Sequence, residues 1–249
     1  NLPCVNRSNY FTSLDNPDIV LGFVHLKGIE HHTVQQILEE RERNGLFKDL
    51  SDFVSRTDIV REQLILLIRS GALSFTHKPK AELLWNMYMN RSSSSSSKEP
   101  QLFERKEPKN YHLPEFETNA TEDAYDEIEF LGFPVTLSYF DLLKNSFRGD
   151  IKASQMLDNV GKRLRMTGRL VTIKYVRTVN KEIMNFATFT DPNGEFYDTV
   201  HFPGSLKHYP FRGDGVYLLL GKIVEEFGYP SMEVEKMAKL DIVTDPREE

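Results

Sequence analysis

Cysteine is almost missing from this chain, with Cys4 its sole example. That scarcity excludes a disulfide framework and a Cys-rich zinc site, and it suits a reducing, cytoplasmic setting. No apolar run approaches the length of a membrane span, and the first residues carry neither a basic n-region nor an apolar h-region. No membrane partner is therefore expected. A starting methionine is also lacking, so the chain, which opens at Asn1, is expected to be a piece of a longer protein. One stretch lacks a charge sign altogether: residues 162–181 (KRLRMTGRLVTIKYVRTVNK) contain no Asp or Glu.

What is present there is seven Lys or Arg, in a protein whose formal net charge is −6. Residues 182–249 hold six basic and 13 acidic side chains, so the positive charge is concentrated rather than spread. Screening over about 10 Å lets neighbouring charges outweigh distant ones, which makes a local nucleic-acid footprint plausible in an acidic protein. Immediately downstream, IMNFATFTDPNGEFYDTVHFP (183–203) alternates apolar and polar positions, turns at Asp191-Pro192-Asn193-Gly194, and alternates again. Short strands opened by so basic a segment predict an oligonucleotide-binding (OB) barrel facing a phosphate backbone. Arg163, Arg165, Arg169, Lys174, Arg177 and Lys181 are the candidate groove cations, with Tyr175 and Phe186 as stacking faces. The competing reading is that these basic side chains only solvate the outer face of a barrel.

With 249 residues, 39% hydrophobic and 27% charged, the chain is long enough for two small domains with their own cores. The fold class expected is multidomain α + β. Residues 1–20 read as irregular. Helical periodicity then predicts a helix over about Thr33–Arg43 ended by Gly45, a short one opened by Asp49, and a third from near Asp58 to Gly71 burying Val60, Leu64, Leu67 and Ile68. A fourth is predicted over Lys80–Asn90, which makes residues 1–91 a helical domain. An unbroken serine run at 92–97 and a polar, acidic, proline-containing stretch to residue 126 read as a flexible linker. A connector helix segment is expected over 127–159, packed at the edge of the following barrel, and residues 160–249 form the five-stranded OB domain.

Within the helical domain, Leu26-Lys27-Gly28-Ile29-Glu30 ahead of the first helix has the outline of a helix-hairpin-helix. Such a hairpin offers backbone N–H groups and a helix N-terminus to a DNA phosphate. Lys27, Gly28 and Ile29 are the candidate duplex-binding residues; a purely structural turn is the alternative. Glu30 stands where a second glycine is usual, removing a residue tolerant of positive φ and adding an anion. His31 and His32 point in different directions on a helix, and no metal is placed there.

The order of these parts resembles the C-terminal region of the bacterial DNA polymerase III α subunit, a family C polymerase. The segments that carry the resemblance are Leu2–Phe11, Leu21–Ile29, Asn44–Arg56, Leu66–Leu73, Phe130–Leu143 and the OB stretch with Met184, Phe186, Asp191, Gly194, Phe202 and Pro203. The resemblance implies a tandem helix-hairpin-helix region, DNA as partner (duplex at the hairpin, single strand at the OB barrel), and other replisome subunits. It also implies a sliding-clamp peptide at Gln101, Leu102 and Phe103, although the first position of that peptide is Glu99 where the family has Gln. The family's palm aspartates and its phosphoesterase-like domain have no counterpart here. Catalysis and cofactors are therefore assigned to no residue of this chain, and Mg²⁺-dependent nucleotidyl transfer is expected of the parent alone. An error-prone α-like paralogue and a non-polymerase OB module stay open as alternatives.

Overall fold

The computed structural model describes residues 1–91 and 118–248. They divide into two compact units. One is Asn1–Leu137 with the segment from Asp245 onward, and the other is Ser138–Thr244.

The first unit opens with two short strands, β1 (Ser13–Asp15) and β2 (Asp18–Val20), paired through a turn at Asn16-Pro17 where irregular chain was expected. Helices α1 (His31–Asn44), α2 (Leu50–Arg56), α3 (Arg61–Arg69), α4 (Lys80–Arg91) and α5 (Ala120–Leu131) follow. Asp49 caps α2 by accepting from the Asp52 N–H at 2.8 Å, satisfying one of the donors a helix start leaves over. Gly45 ends α1 at φ 77°, a conformation in which a side chain would be strained. The carbonyls this end leaves over are gathered by Arg56, which donates to Glu40 and Gly45 (2.8 Å each) and lies 4.3 Å over the Phe47 ring.

Helix α3 repeats α1 with a shift of 30 residues: Val34 and Ile37 of one, and Leu64 and Leu67 of the other, enter a single core with Phe23, Phe53, Ile68, Leu73 and Leu83. Each such side chain contributes about 2 kcal/mol by leaving water. Val60, expected in this core, is 49% exposed because α3 starts after it, and Ile59 is buried instead.

The expected boundaries shift around α5. That helix begins at Ala120, inside the stretch read as linker to residue 126, with Asn119 as its cap. The cause is legible: Leu131, Phe130 and Val135 join the core of the first unit, so residues 118–137 belong with the helices. Asp126, almost fully buried, accepts from Arg69 (2.6 Å) and from Arg247 (2.8 Å), and Lys80 lies against Asp123 at 2.7 Å. Arg247 thereby draws the last described residues, expected in the OB domain, into the first unit.

The second unit is a closed barrel of β3 (Arg163–Arg177), β4 (Ile183–Thr190), β5 (Phe196–His201), β6 (Val216–Glu226) and β7 (Tyr229–Lys239), ordered β3-β4-β5-β7-β6. The β5–β7 pair is parallel and the others antiparallel, and α6 (Pro203–His208) lies between the third and fourth strands in sequence. This five-stranded Greek-key closure is the OB fold. Its core joins Met166, Leu170, Phe189, Tyr197, Tyr217, Leu219 and Met232. Phe140 and Leu143 from the expected connector pack with Val216 in a smaller cluster of the same unit. Gly168 is required by close approach, since a Cβ there would meet the Tyr197 hydroxyl at 2.1 Å.

A titratable group sits inside the barrel. The Thr199 hydroxyl donates to the Ala187 carbonyl (2.9 Å), so its oxygen is left to accept from His201 Nε2 (2.9 Å), and His201 Nδ1 has no partner among the described residues. Burial lowers the His201 pKa from 6.5 to about 4. The folded barrel thus keeps His201 neutral where the unfolded chain takes up a proton. The stability this provides is complete above pH 6.5 and drains as the pH falls towards 4. Between neutrality and about pH 5 the loss is expected to be on the order of 2 kcal/mol. Urea titrations across that range should show it in the wild type and not in His201→Gln; equal pH dependence of the two proteins would refute the assignment.

Candidate nucleic-acid interface

The hairpin ahead of α1 is held from below. Gln63 on α3, itself buried, donates through Nε2 to the Gly28 carbonyl (2.9 Å) and accepts the Glu30 N–H at Oε1 (2.8 Å). Gly28 takes φ 84°, whereas Glu30 sits at φ −81°, an ordinary extended value. The second hairpin position therefore needs no glycine, and the cost expected of Glu30 reduces to its charge. The Lys27 N–H donates to the Phe130 carbonyl at 2.7 Å. The ammonium group of Lys27 reaches towards the carboxyl end of α5, where a Cβ on Gly132 would lie 3.1 Å from Nζ, a favourable position for a cation. Ile29 is partly buried against the core. No side chain caps α1, and the N–H groups of Gly28, His31 and His32 make no hydrogen bond among the described residues. What the hairpin can offer an anion is this set of amides. The His31 ring packs edge-on against Tyr10 at 5.4 Å, and His32 is exposed.

On the barrel, β3 changes its facing in mid-strand. Its register shifts at a bulge between Leu170 and Thr172. Before the bulge the odd positions Arg163, Arg165 and Arg169 face outward, while Met166 and Leu170 enter the core; beyond it the outward positions are even. Lys174 therefore stands outward, directly opposite Phe186 on β4, and Phe186 is 43% exposed. Tyr175, opposite buried Asn185, and Arg177 belong to the other face, yet both are exposed because beyond the bulge β3 has β4 as its only strand neighbour. The expected single line of cations is thus split between two faces.

It is split chemically as well. Arg163 pairs with Glu235, and Arg165 donates to both oxygens of Asp150 (2.7 and 3.1 Å) while lying 4.4 Å over the Phe147 ring. Arg169 bonds Asp214 at 3.0 Å and lies 3.8 Å over Tyr139. These three are engaged within the unit. Lys174, Arg177 and Lys181 pair with no described carboxylate. The ribbon formed by β3 beyond the bulge, the turn 178–182 and the start of β4 therefore carries the unpaired positive charge, with Tyr175 exposed at 68% beside it.

Three exposed aromatics on the barrel strands and their turns escaped the sequence reading. Phe227 (99% exposed) and Tyr229 stand at the β6–β7 turn, and Phe196 opens β5. Phe227 and Gly228 both have positive φ, as a two-residue hairpin turn demands. The sequence EEFGYP carried that signal, since an aromatic at a two-residue turn has nothing to be buried against. Gln101, Leu102 and Phe103 lie outside the described residues. Among the described residues no cluster of three metal-ligating side chains occurs, and no helix is long and apolar enough to cross a membrane.

Comparison with known proteins agrees with this arrangement. The family model described as "Helix-hairpin-helix motif" matches residues 1–83. DNA polymerase III subunit alpha of Staphylococcus epidermidis is 28% identical over 226 residues, covering 88% of this chain and 21% of that protein. The Aquifex aeolicus subunit is 28% identical over 210 residues, covering 81% and 17%. The chain therefore spans about a fifth of the length of the curated relatives it matches. The second OB-fold domain of replication protein A from Methanococcus maripaludis superposes with a TM-score of 0.26 at 8% identity, covering 34% of this chain and 90% of that one; the OB assignment rests on the strand order above. The resemblance read from the sequence holds: the chain is similar to the C-terminal region of the DNA polymerase III α subunit.

The two classes of arginine and lysine should separate in a stability measurement. Arg165→Ala and Arg169→Ala each remove an ion pair and a ring contact, and each is expected to lower the stability of the barrel measurably, Arg169→Ala more than the solvent-screened Arg165→Ala. Lys174→Ala and Arg177→Ala should stay within about 0.5 kcal/mol of wild type. Urea unfolding followed by circular dichroism gives the four values, and equal losses across the set would contradict the division.

Proposed function

We propose that this chain, similar to the C-terminal region of DNA polymerase III α subunits, is the DNA-holding part of such a subunit. The helical unit takes duplex phosphates on the amides around Gly28 and at the start of α1, with Lys27 able to swing towards them. The barrel takes the single-stranded template along the ribbon that β3 and β4 form beyond the bulge. One observation carries the reading: Lys174, Arg177 and Lys181, paired with no described carboxylate, share one ribbon of an OB barrel with exposed Tyr175 and Phe186. Lys174 can neutralise a phosphate while a base stacks on the facing Phe186 ring, the combination that holds single strands without reading their sequence. Nothing in this grip uses a metal. Nucleotidyl transfer with Mg²⁺, contact with other replisome subunits and a cytoplasmic location are proposed for the parent protein.

The test is the salt dependence of oligonucleotide binding. Removing Lys174, Arg177 and Lys181 together by alanine should weaken single-strand binding and lower the slope of log K against log salt by about 2, at roughly 0.7 for each phosphate no longer neutralised. An unchanged affinity and slope in a folded triple variant would remove the barrel from the reading.

Gln101, Leu102 and Phe103 are proposed as a peptide for the sliding clamp, two adjacent apolar side chains entering a pocket on the partner. Replacing Leu102 and Phe103 by alanine removes on the order of 2 kcal/mol per anchor. Association with the cognate clamp is expected to fall at least about tenfold while thermal stability and oligonucleotide binding stay put. Equal clamp binding by the two forms would leave these residues a spacer.

A further inference from the structure

The duplex reading of the hairpin depends on which way one peptide group points, and a residue on another helix decides that. The peptide joining Gly28 to Ile29 follows a residue at φ 84°, where glycine tolerates either orientation of the group that follows. In a trans peptide the carbonyl and the N–H point opposite ways. With the Gly28 carbonyl drawn down to Gln63 Nε2 at 2.9 Å, the Ile29 N–H is turned away from α3. It keeps only a long 3.4 Å contact to the Leu26 carbonyl. The partner oxygen of the same side-chain amide accepts the Glu30 N–H at 2.8 Å, so one buried planar group satisfies a carbonyl and an N–H two residues apart. Turned over, the same peptide would present its carbonyl oxygen where an anion needs a donor.

Resting on the duplex reading above, we infer that Gln63 is the positioning residue of the hairpin: its amide holds the Gly28–Ile29 peptide in the orientation that keeps the loop an N–H surface, and so selects a phosphate diester as its ligand. Gln63 does not touch DNA. Its position, third in α3, is the one that Thr33 occupies in α1, and both are buried. Of the two repeats, one thus supplies the support and the other the contact.

The chemistry of the amide provides the test. In Gln63→Glu, a carboxylate keeps its bond to the Glu30 N–H but cannot donate to the Gly28 carbonyl and repels it; once protonated, the acid has the donor and acceptor pattern of glutamine again. Binding of a short random-sequence duplex to the whole chain at neutral pH is expected to weaken by about tenfold or more in Gln63→Glu. It should return to within about threefold of wild type, measured side by side, near pH 5 where a buried carboxyl takes up its proton. Single-strand binding should not change at either pH. Gln63→Met, which removes both hydrogen bonds and adds no charge, should weaken duplex binding at both pH values, and it replaces the glutamate variant if circular dichroism shows that variant unfolded. Gly28→Val serves as the control for the hairpin itself. If Gly28→Val weakens duplex binding while folded Gln63 variants do not, the hairpin grips DNA but Gln63 does not position it. If Gly28→Val is also without effect, the duplex reading falls and this inference falls with it.

Discussion

The bulge in β3 between Leu170 and Thr172 is the constraint on which the barrel depends. A 15-residue strand must serve β6 with its first half and β4 with its second, and a straight strand cannot bend round to both. One unpaired residue at the bend lets the barrel close. It also exchanges the two faces, so that Met166 and Leu170 fill the core before it while Ile173 does so after it. The outward position of Lys174 opposite Phe186 is a by-product of that closure. The residues that would hold nucleic acid are placed by a packing requirement.

A comparable economy governs the charges. The acid-free segment carries seven cations, and its arginines before the bulge are engaged by Asp150, Asp214 and Glu235, all outside it in sequence. Charge-assisted contacts of this kind, two of them reinforced by aromatic rings, tie the strand to the chain before it, to β7 and to the loop ahead of β6. Beyond the bulge Lys174, Arg177 and Lys181 pair with no described carboxylate, and charge remains there for a partner. In the helical unit the same rule holds in smaller form: the hairpin's inward hydrogen bonds are taken by Gln63, and its outward amides are left over.

Much of this was legible in the sequence, for reasons that can be named. Helices α1 to α4 announce themselves by periodicity and by Gly45, Asp49 and Gly71, and the β4–β5 hairpin by its alternation around Asp191–Gly194. Which cations are free was not legible, because Asp150 and Asp214 lie far from Arg165 and Arg169 along the chain and nothing local couples them. The bulge was hidden too, since no glycine marks it, and an alternation argument carried through residue 171 puts Tyr175 and Lys174 on the wrong faces. The polar beginning of α5 disguised a helix: Thr121, Glu122 and Asp123 resemble linker composition, and only the apolar residues from Ile128 onward declare a core.

The placement of α5 has a consequence for the stretch between it and α4. Residues 91 and 118 both lie in the helical unit, so both ends of the sequence between them belong to one body. A protease cutting there would not set one domain free of the other. It would turn one molecule into a heterodimer whose halves meet through the Leu131 and Phe130 contacts and through Arg69 and Lys80 against Asp126 and Asp123. The nicked protein would migrate as a single species under native conditions, and its melting point would acquire a dependence on protein concentration that the intact chain does not have.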